Sequence, residues 1–301
     1  MILKKKITIG IVFVFILFFS LKTFFSNILF YNSTCGMKNL ISEGKIDNLY
    51  IGSSMFRQGI DICTLQEELA EESHYILAYN GNQPIWEYMQ LEYLLNSEFE
   101  IGTLYVDMYA YSICKEPQLD DEKMFLEFPY DKKADIYKHI QTGISWMEKW
   151  QLWISSCNEM ILFWPIYSKI VDTQFLNGGT LSYSDGSTKE ILDSMSLGSY
   201  PTVVEDIQKE YVEKIVELAN KNGIRIIFVE TPKYSKVQYD ETYCVLMDDY
   251  KEILDSMGVK YVSDCELDCD DAPLFQDLIH LSSLGREKFT QLLCNEIKEG
   301  K

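Results

Sequence analysis

Leu49-Tyr50-Ile51-Gly52-Ser53-Ser54-Met55-Phe56-Arg57-Gln58-Gly59-Ile60 is the stretch from which the fold is read. Its short apolar run reads as a buried strand, and Gly52 ends it at a tight turn leading into a helix that begins near Asp61. In an α/β sheet, a hydroxyl at the carboxyl end of a strand faces the crevice where ligands bind, with N–H groups of the next helix aimed at it. The turn therefore offers Ser53 and Ser54 as nucleophiles, and either hydroxyl can be the exposed one.

A serine hydroxyl needs a base. The chain has three histidines, and His280 follows Asp277 by three residues, just ahead of a helix that Ser282 or Ser283 can cap. One turn of backbone then carries both base and orienter: Asp277 holds one ring nitrogen of His280 while the other faces a serine hydroxyl. The alternative reading is that Asp277 and His280 merely cap the last helix.

Gly52-Ser53-Ser54, Arg57 and Gly59-Ile60-Asp61 at one end, and Phe275, Asp277, His280-Leu281, Gly285 and Phe289-Thr290 at the other, resemble paired motifs of the SGNH (GDSL-like) hydrolase superfamily. Within it, they are similar to the membrane-anchored branch that includes the D-alanyl-transfer protein of teichoic acid modification (DltD-like) and polysaccharide O-acetylation proteins. The resemblance implies a three-layer αβα sandwich with a parallel, flavodoxin-like sheet, and by position it makes Ser54 the nucleophile. It implies an oxyanion hole formed by the backbone N–H groups of Ser54 and Gly81 and by a side-chain amide. The superfamily takes that amide from an Asn after the third strand, but Leu104 to Tyr109 contains none, so Asn82 or Asn80 has to stand in.

The rest of the chain alternates in a way that suits such a sheet. Strands are expected at 48–51, 75–79, 104–109, 224–229 and 259–262, with helices at 37–43, 63–72, from Pro84, 201–222 and 241–257. Asn80-Gly81-Asn82-Gln83-Pro84 is turn chemistry at a strand end, and the loops of Ser54, Gly81 and His280 come to one sheet edge. Residues 112–199 form an insertion, read as a cap, with 135–163 helical and 177–187 a loop. His139 is expected exposed on a helix, and His74 at a strand entrance.

Residues 1–31 are a different material. Lys4-Lys5-Lys6 precedes an apolar stretch from Ile7 to Phe30, interrupted by a Lys22 that can snorkel, long enough to cross a bilayer tilted. Basic residues ahead of the span place the N-terminus in the cytoplasm and 32–301 outside, on an uncleaved single-pass anchor in the cell membrane. All eight cysteines lie beyond it, so one or two disulfides are expected, with a local bridge or a solvated loop, rather than a metal site, at Cys265 and Cys269.

With 301 residues, 47% of them hydrophobic, the chain can bury one sizeable core, while a net charge of −19 argues against nucleic acid as a partner. The sequence thus points to an extracytoplasmic serine acyl hydrolase or acyltransferase without a cofactor. By resemblance, it would act on O-acetyl or D-alanyl esters of a cell-surface polysaccharide or teichoic acid, with a membrane-bound O-acyltransferase as possible partner. A non-catalytic binding or accessory protein of the same fold is the other reading.

Overall fold

The computed structural model describes residues 2–31, 36–118, 184–263 and 266–299, together with 120, 128, 132, 175–176 and 179–180. The chain divides into two units, 1–33 with 122–172, and 34–121 with 173–301. In the first unit, α1 (Ile2–Tyr31) is a helix of 30 residues whose apolar side chains Ile7, Ile11, Phe15 and Leu21 are all exposed. Among the described residues no helix is long and apolar enough to cross a membrane. The expected span from Ile7 to Phe30 is therefore unsupported, the side chains of residues 19 and 22–30 lying outside the described ones.

The second unit begins with α2 (Met37–Glu43) and then β1 (Lys45–Gly52), α3 (Ser54–Gly59), α4 (Ile62–Glu68), β2 (His74–Ala78), α5 (Pro84–Asn96), β3 (Glu100–Asp107) and α6 (Ala110–Ile113). A hairpin of two short antiparallel strands, β4 (Phe175–Leu176) and β5 (Gly179–Thr180), precedes α7 (Lys189–Ser194). After it come α8 (Asp206–Lys221), β6 (Arg225–Val229), α9 (Ser235–Gln238), α10 (Glu241–Ser256), β7 (Lys260–Val262) and α11 (Ser283–Glu299).

The main sheet has the order β2-β1-β3-β6-β7, and every pairing in it is parallel. Parallel strands need crossovers, and the crossover helices cover both faces, which is why Leu49, Tyr50 and Ile51 are all buried without alternation. α4 packs with α11, and α5 packs with α8. The chain runs outward from β1 to β2 and then returns to the other side of β1 for β3, so the topological switch point lies between β1 and β3. Tyr50 and Tyr105 stack at 4.6 Å across that pair of strands, an aromatic contact worth about 0.5–1.5 kcal/mol beyond its area burial.

Several local expectations are corrected. β1 starts at Lys45, three residues before the expected Asn48, because the hydrogen bonding of its edge to β3 begins at Lys45 and Glu100. A helix does begin at Asp61, which caps α4 with its Oδ1 accepting from the N–H groups of Cys63 and Thr64, but a further short helix, α3, starts at Ser54 itself and fills the stretch between. α4 ends at Glu68, since Leu69 has left helical geometry, rather than reaching Glu72. The third strand ends at Asp107, short of Tyr109. Of the expected 177–187 loop, residues 179–180 form a strand. The 135–163 helix and His139 lie outside the described residues, as does most of the 112–199 insertion.

The cysteine reading also changes. Cys63, Cys114, Cys244, Cys269 and Cys294 are free thiols, so the local bridge to Cys269 is not made. Burial pushes the Cys269 thiol up to about 11, and its Sγ–H donates to the Leu267 carbonyl instead. Cys35, Cys157 and Cys265 lie outside the described residues.

Candidate active site

At the carboxyl end of β1 the chain turns into α3 through Ser53, the helix cap, whose Oγ accepts from the N–H of Met55 at 3.1 Å. Ser53 is only 2% exposed, and its own N–H and hydroxyl both donate to Oδ2 of Asp107, the last residue of β3. Ser54, the next residue, is half-buried and opens the helix. Its N–H has no intrahelical acceptor at that position, and no described residue accepts from it. The two serines thus divide: Ser53 is consumed by the turn, and Ser54 faces out of it.

The other half of the site comes from the loop between β7 and α11. Phe275 and Leu281 form an isolated bridge and are buried, pinning the loop's two ends together. Inside it, Oδ1 of Asp277 accepts from the backbone N–H groups of Ile279 and His280, both at 2.9 Å, the local turn an Asp side chain favours. Its Oδ2 lies 2.8 Å from His280 Nδ1, and His280 Nε2 lies 2.9 Å from Ser54 Oγ. A carboxylate can only accept, so Nδ1 carries the hydrogen and Nε2 is left to accept from the serine hydroxyl. Ser282 caps α11 through Gly285 N–H, so capping falls to the serine while Asp277 and His280 turn toward Ser54.

Burial alone would raise the Asp277 carboxyl, but hydrogen bonds from the His280 ring and from the Ile279 and His280 backbone, with the charge of His280, hold it below its usual value. The ring therefore has an ionised orienter at neutral pH.

The expected oxyanion residues sit beside this turn. Gly81 has φ +62°, a left-handed conformation, and no described residue accepts from its N–H. Asn82 is 3% exposed, and its NH₂ donates to the Gly52 carbonyl at 3.2 Å and to Gln90 Oε1 at 3.3 Å. Both amide hydrogens are taken, so Asn82 braces the β1 terminus rather than presenting a donor. Asn82 Oδ1, Gln90 Nε2, Glu87 Oε2 and Asp107 Oδ1 are buried with no partner among the described residues.

The sequence reading missed Asp107 and what lies behind it. Lys233 is fully buried; its Nζ donates to the Thr231 carbonyl and lies 5.4 Å and 5.3 Å from the ring centres of Tyr109 and Tyr243. Burial lowers the Lys233 ammonium, against the pull of the Glu230 and Asp107 charges. Burial likewise raises the Asp107 carboxyl, opposed by its Ser53 hydrogen bond and the Lys233 charge. Glu230 is closed over, accepting from Tyr243 and Gln238. The available signal was an Asp at the end of a buried parallel strand. His74, at the entrance of β2, is buried between Tyr50 Oη and the Leu69 carbonyl. Among the described residues, no group of three or more His, Cys, Asp or Glu could hold a metal ion.

No family model and no curated protein matches the chain. Among solved structures it is similar to a GDSL-like lipase from Bacteroides thetaiotaomicron, with a TM-score of 0.42 and 8% identity over 86% of this chain and 90% of that one. A putative lipolytic protein of the G-D-S-L family from Desulfitobacterium hafniense gives 0.41 and 10% over 84% and 98%. A family two carbohydrate esterase from Clostridium thermocellum, solved with cellohexaose, gives 0.42 and 9% over 86% and 64%.

Proposed function

We propose that the protein is a serine acyl hydrolase or acyltransferase of the SGNH type, with Ser54 as nucleophile, His280 as general base and acid, and Asp277 as the residue orienting His280. The observation that carries this reading is the unbroken contact from Asp277 Oδ2 through the His280 ring to Ser54 Oγ, at 2.8 Å and 2.9 Å. As Ser54 Oγ bonds to an ester carbonyl carbon, its proton passes to His280 Nε2 and the carbonyl electrons move onto oxygen. Collapse breaks the ester C–O bond, and His280 returns the proton to the leaving alkoxide, which departs as an alcohol. Water or an acceptor hydroxyl then gives its proton to His280 and attacks the acyl-serine carbonyl; collapse breaks the bond to Ser54 Oγ, which takes that proton back from His280, and an acid or a new ester is released.

The growing oxyanion would meet the N–H groups of Ser54 and Gly81. Asn82 is left out of that role, since its amide is engaged by Gly52 and Gln90. That engagement also favours the second reading, a binding or accessory protein that keeps the fold without turning over.

The substrates proposed are O-acetyl or D-alanyl esters on cell-surface polysaccharide or teichoic acid, outside the cell, with a membrane-bound O-acyltransferase as a candidate donor. The exposed apolar side chains of Ile7, Ile11, Phe15 and Leu21 on α1 are the ground for proposing attachment to a membrane by that segment, and Lys4-Lys5-Lys6 that for a cytoplasmic N-terminus, although no described helix is long and apolar enough to cross a membrane. The test is to incubate the full chain with p-nitrophenyl acetate, quench in acid and map the modified peptide. Acetyl on Ser54, absent from Ser54→Ala, is the expected result; release of nitrophenol with no adduct at Ser54, or none at all, would favour the accessory reading.

A further inference from the structure

The turn that presents Ser54 is not held by its own strand. Next to the proposed nucleophile, Ser53 makes three hydrogen bonds through its N–H and side chain, and two of them go to one carboxylate oxygen of Asp107. That oxygen belongs to the neighbouring strand β3, on the far side of the switch point. Gly52 lets the strands close in: a Cβ there would stand 2.5 Å from Asp107 Cβ. Ser53 itself has an extended backbone, with φ −91° and ψ −163°, and this sends the next residue away from the sheet toward His280.

A carboxylate suits this post because one ionised oxygen accepts both donors, and charge-assisted hydrogen bonds are stronger than neutral ones. An isolated buried carboxylate would tend to neutralise instead. Burial raises the Asp107 carboxyl, and the Ser53 hydrogen bond, with the Lys233 charge behind it, opposes that rise; Lys233 is itself fixed by the Thr231 carbonyl and the faces of Tyr109 and Tyr243. Asp107 has no part in the Asp277–His280–Ser54 chain, and it touches Ser53 rather than the reacting atom.

We propose that Asp107, acting through Ser53, is a positioning residue that aims the Ser54 hydroxyl at His280. The inference rests on the reading of Ser54 as nucleophile and deepens it: the third strand supplies a carboxylate that shapes the turn, in the place where the resemblance implied an amide for the oxyanion.

The experiment measures the rate at which a fluorophosphonate labels Ser54 in the full chain, alongside the melting temperature, for wild type, Ser53→Ala, Asp107→Ala, their double variant and Asp107→Asn. Misaiming a nucleophile by about 1 Å costs on the order of 100-fold, so each single variant should label roughly 10- to 100-fold more slowly while still melting cooperatively. The double variant should lose no more than the worse single, because the pair acts as one unit. Asp107→Asn keeps an acceptor oxygen for both Ser53 donors and should recover part of the rate, which also covers the case in which Asp107→Ala does not fold. With p-nitrophenyl acetate the loss should fall on kcat, with KM little changed. Wild-type labelling rates in folded Ser53→Ala and Asp107→Asn, or strictly additive losses, would overturn the proposal. A wild type unlabelled at Ser54 would remove the reading beneath it, a distinct outcome.

Discussion

The Ser54 hydroxyl lies 2.9 Å from His280 Nε2, although 226 residues separate the two in sequence. One comes from the end of the first strand and the other from the loop before the last helix, and each is set by its own local bonding before they meet. Ser54 follows a capped turn tied to β3, and His280 sits in a loop closed by the Phe275–Leu281 bridge and an aspartate turn.

Breaking that contact has separable consequences at its two ends. His280→Ala should lower kcat for ester turnover by ~10⁴-fold or more, and Asp277→Asn by about 10⁴-fold, because the amide can no longer fix the tautomer that leaves Nε2 as acceptor. The losses should not add in the double variant. Steady-state kinetics on p-nitrophenyl acetate with the full chain checks both.

Asp277 also carries a pH signature in stability. Its carboxyl is held below the usual value in the folded chain, so its contribution is fully present above the unfolded value of about 3.9 and is lost as pH falls through the folded value. The melting-temperature gap between wild type and Asp277→Asn should therefore be constant near neutrality and close only in acid. A gap that widens toward low pH would show the sign to be wrong.

Glu87 behaves in the opposite sense. It is 3% exposed on α5, its Oε2 has no partner among the described residues, and burial together with the Asp107 charge raises its carboxyl well above the ordinary range. The folded chain holds that proton more tightly than the unfolded one, so stability is fully present below the unfolded value of about 4.3 and declines as pH rises above it. Glu87→Gln mimics the neutral acid and removes the decline. Thermal melts should coincide for the two proteins near about pH 4 and show the variant more stable near about pH 8.

Gly52→Ala tests the close approach of β1 and β3. The added methyl would meet Asp107 Cβ at 2.5 Å and the Phe56 ring at 3.0 Å, and neither a strand-end Cβ nor a buried ring can move aside freely. Overpacking of this kind costs about 1–3 kcal/mol, and the same shift would displace the serine turn. Denaturant unfolding should show the loss, with slower acylation of the molecules that remain folded.

What the sequence made legible was whatever one segment settles alone. The strand at Ile226-Ile227-Phe228-Val229 announces itself by composition, and Asp277 meets His280 within one turn of backbone. The parallel sheet follows from short strands alternating with amphipathic helices. Asp107 was not legible, because its meaning lies in Ser53, 54 residues away in the turn after the neighbouring strand. Asn82 misled for a related reason. The sequence shows an amide near the turn but not that the Gly52 carbonyl, left at the end of a strand, takes its hydrogen. The start of α3 at Ser54 was hidden too, since Ser53 caps the helix with a side chain that also reads as a nucleophile.

The central claim is that Ser54 is activated by His280. Its most direct test is labelling of the full chain, purified in detergent, with a fluorophosphonate, located by mass spectrometry and repeated in Ser54→Ala, Ser53→Ala and His280→Ala. The account predicts a single adduct on Ser54 that disappears in Ser54→Ala and His280→Ala and forms more slowly, but at the same residue, in Ser53→Ala. An adduct on Ser53, labelling of Ser54 that survives loss of His280, or a folded protein that takes no label would contradict it.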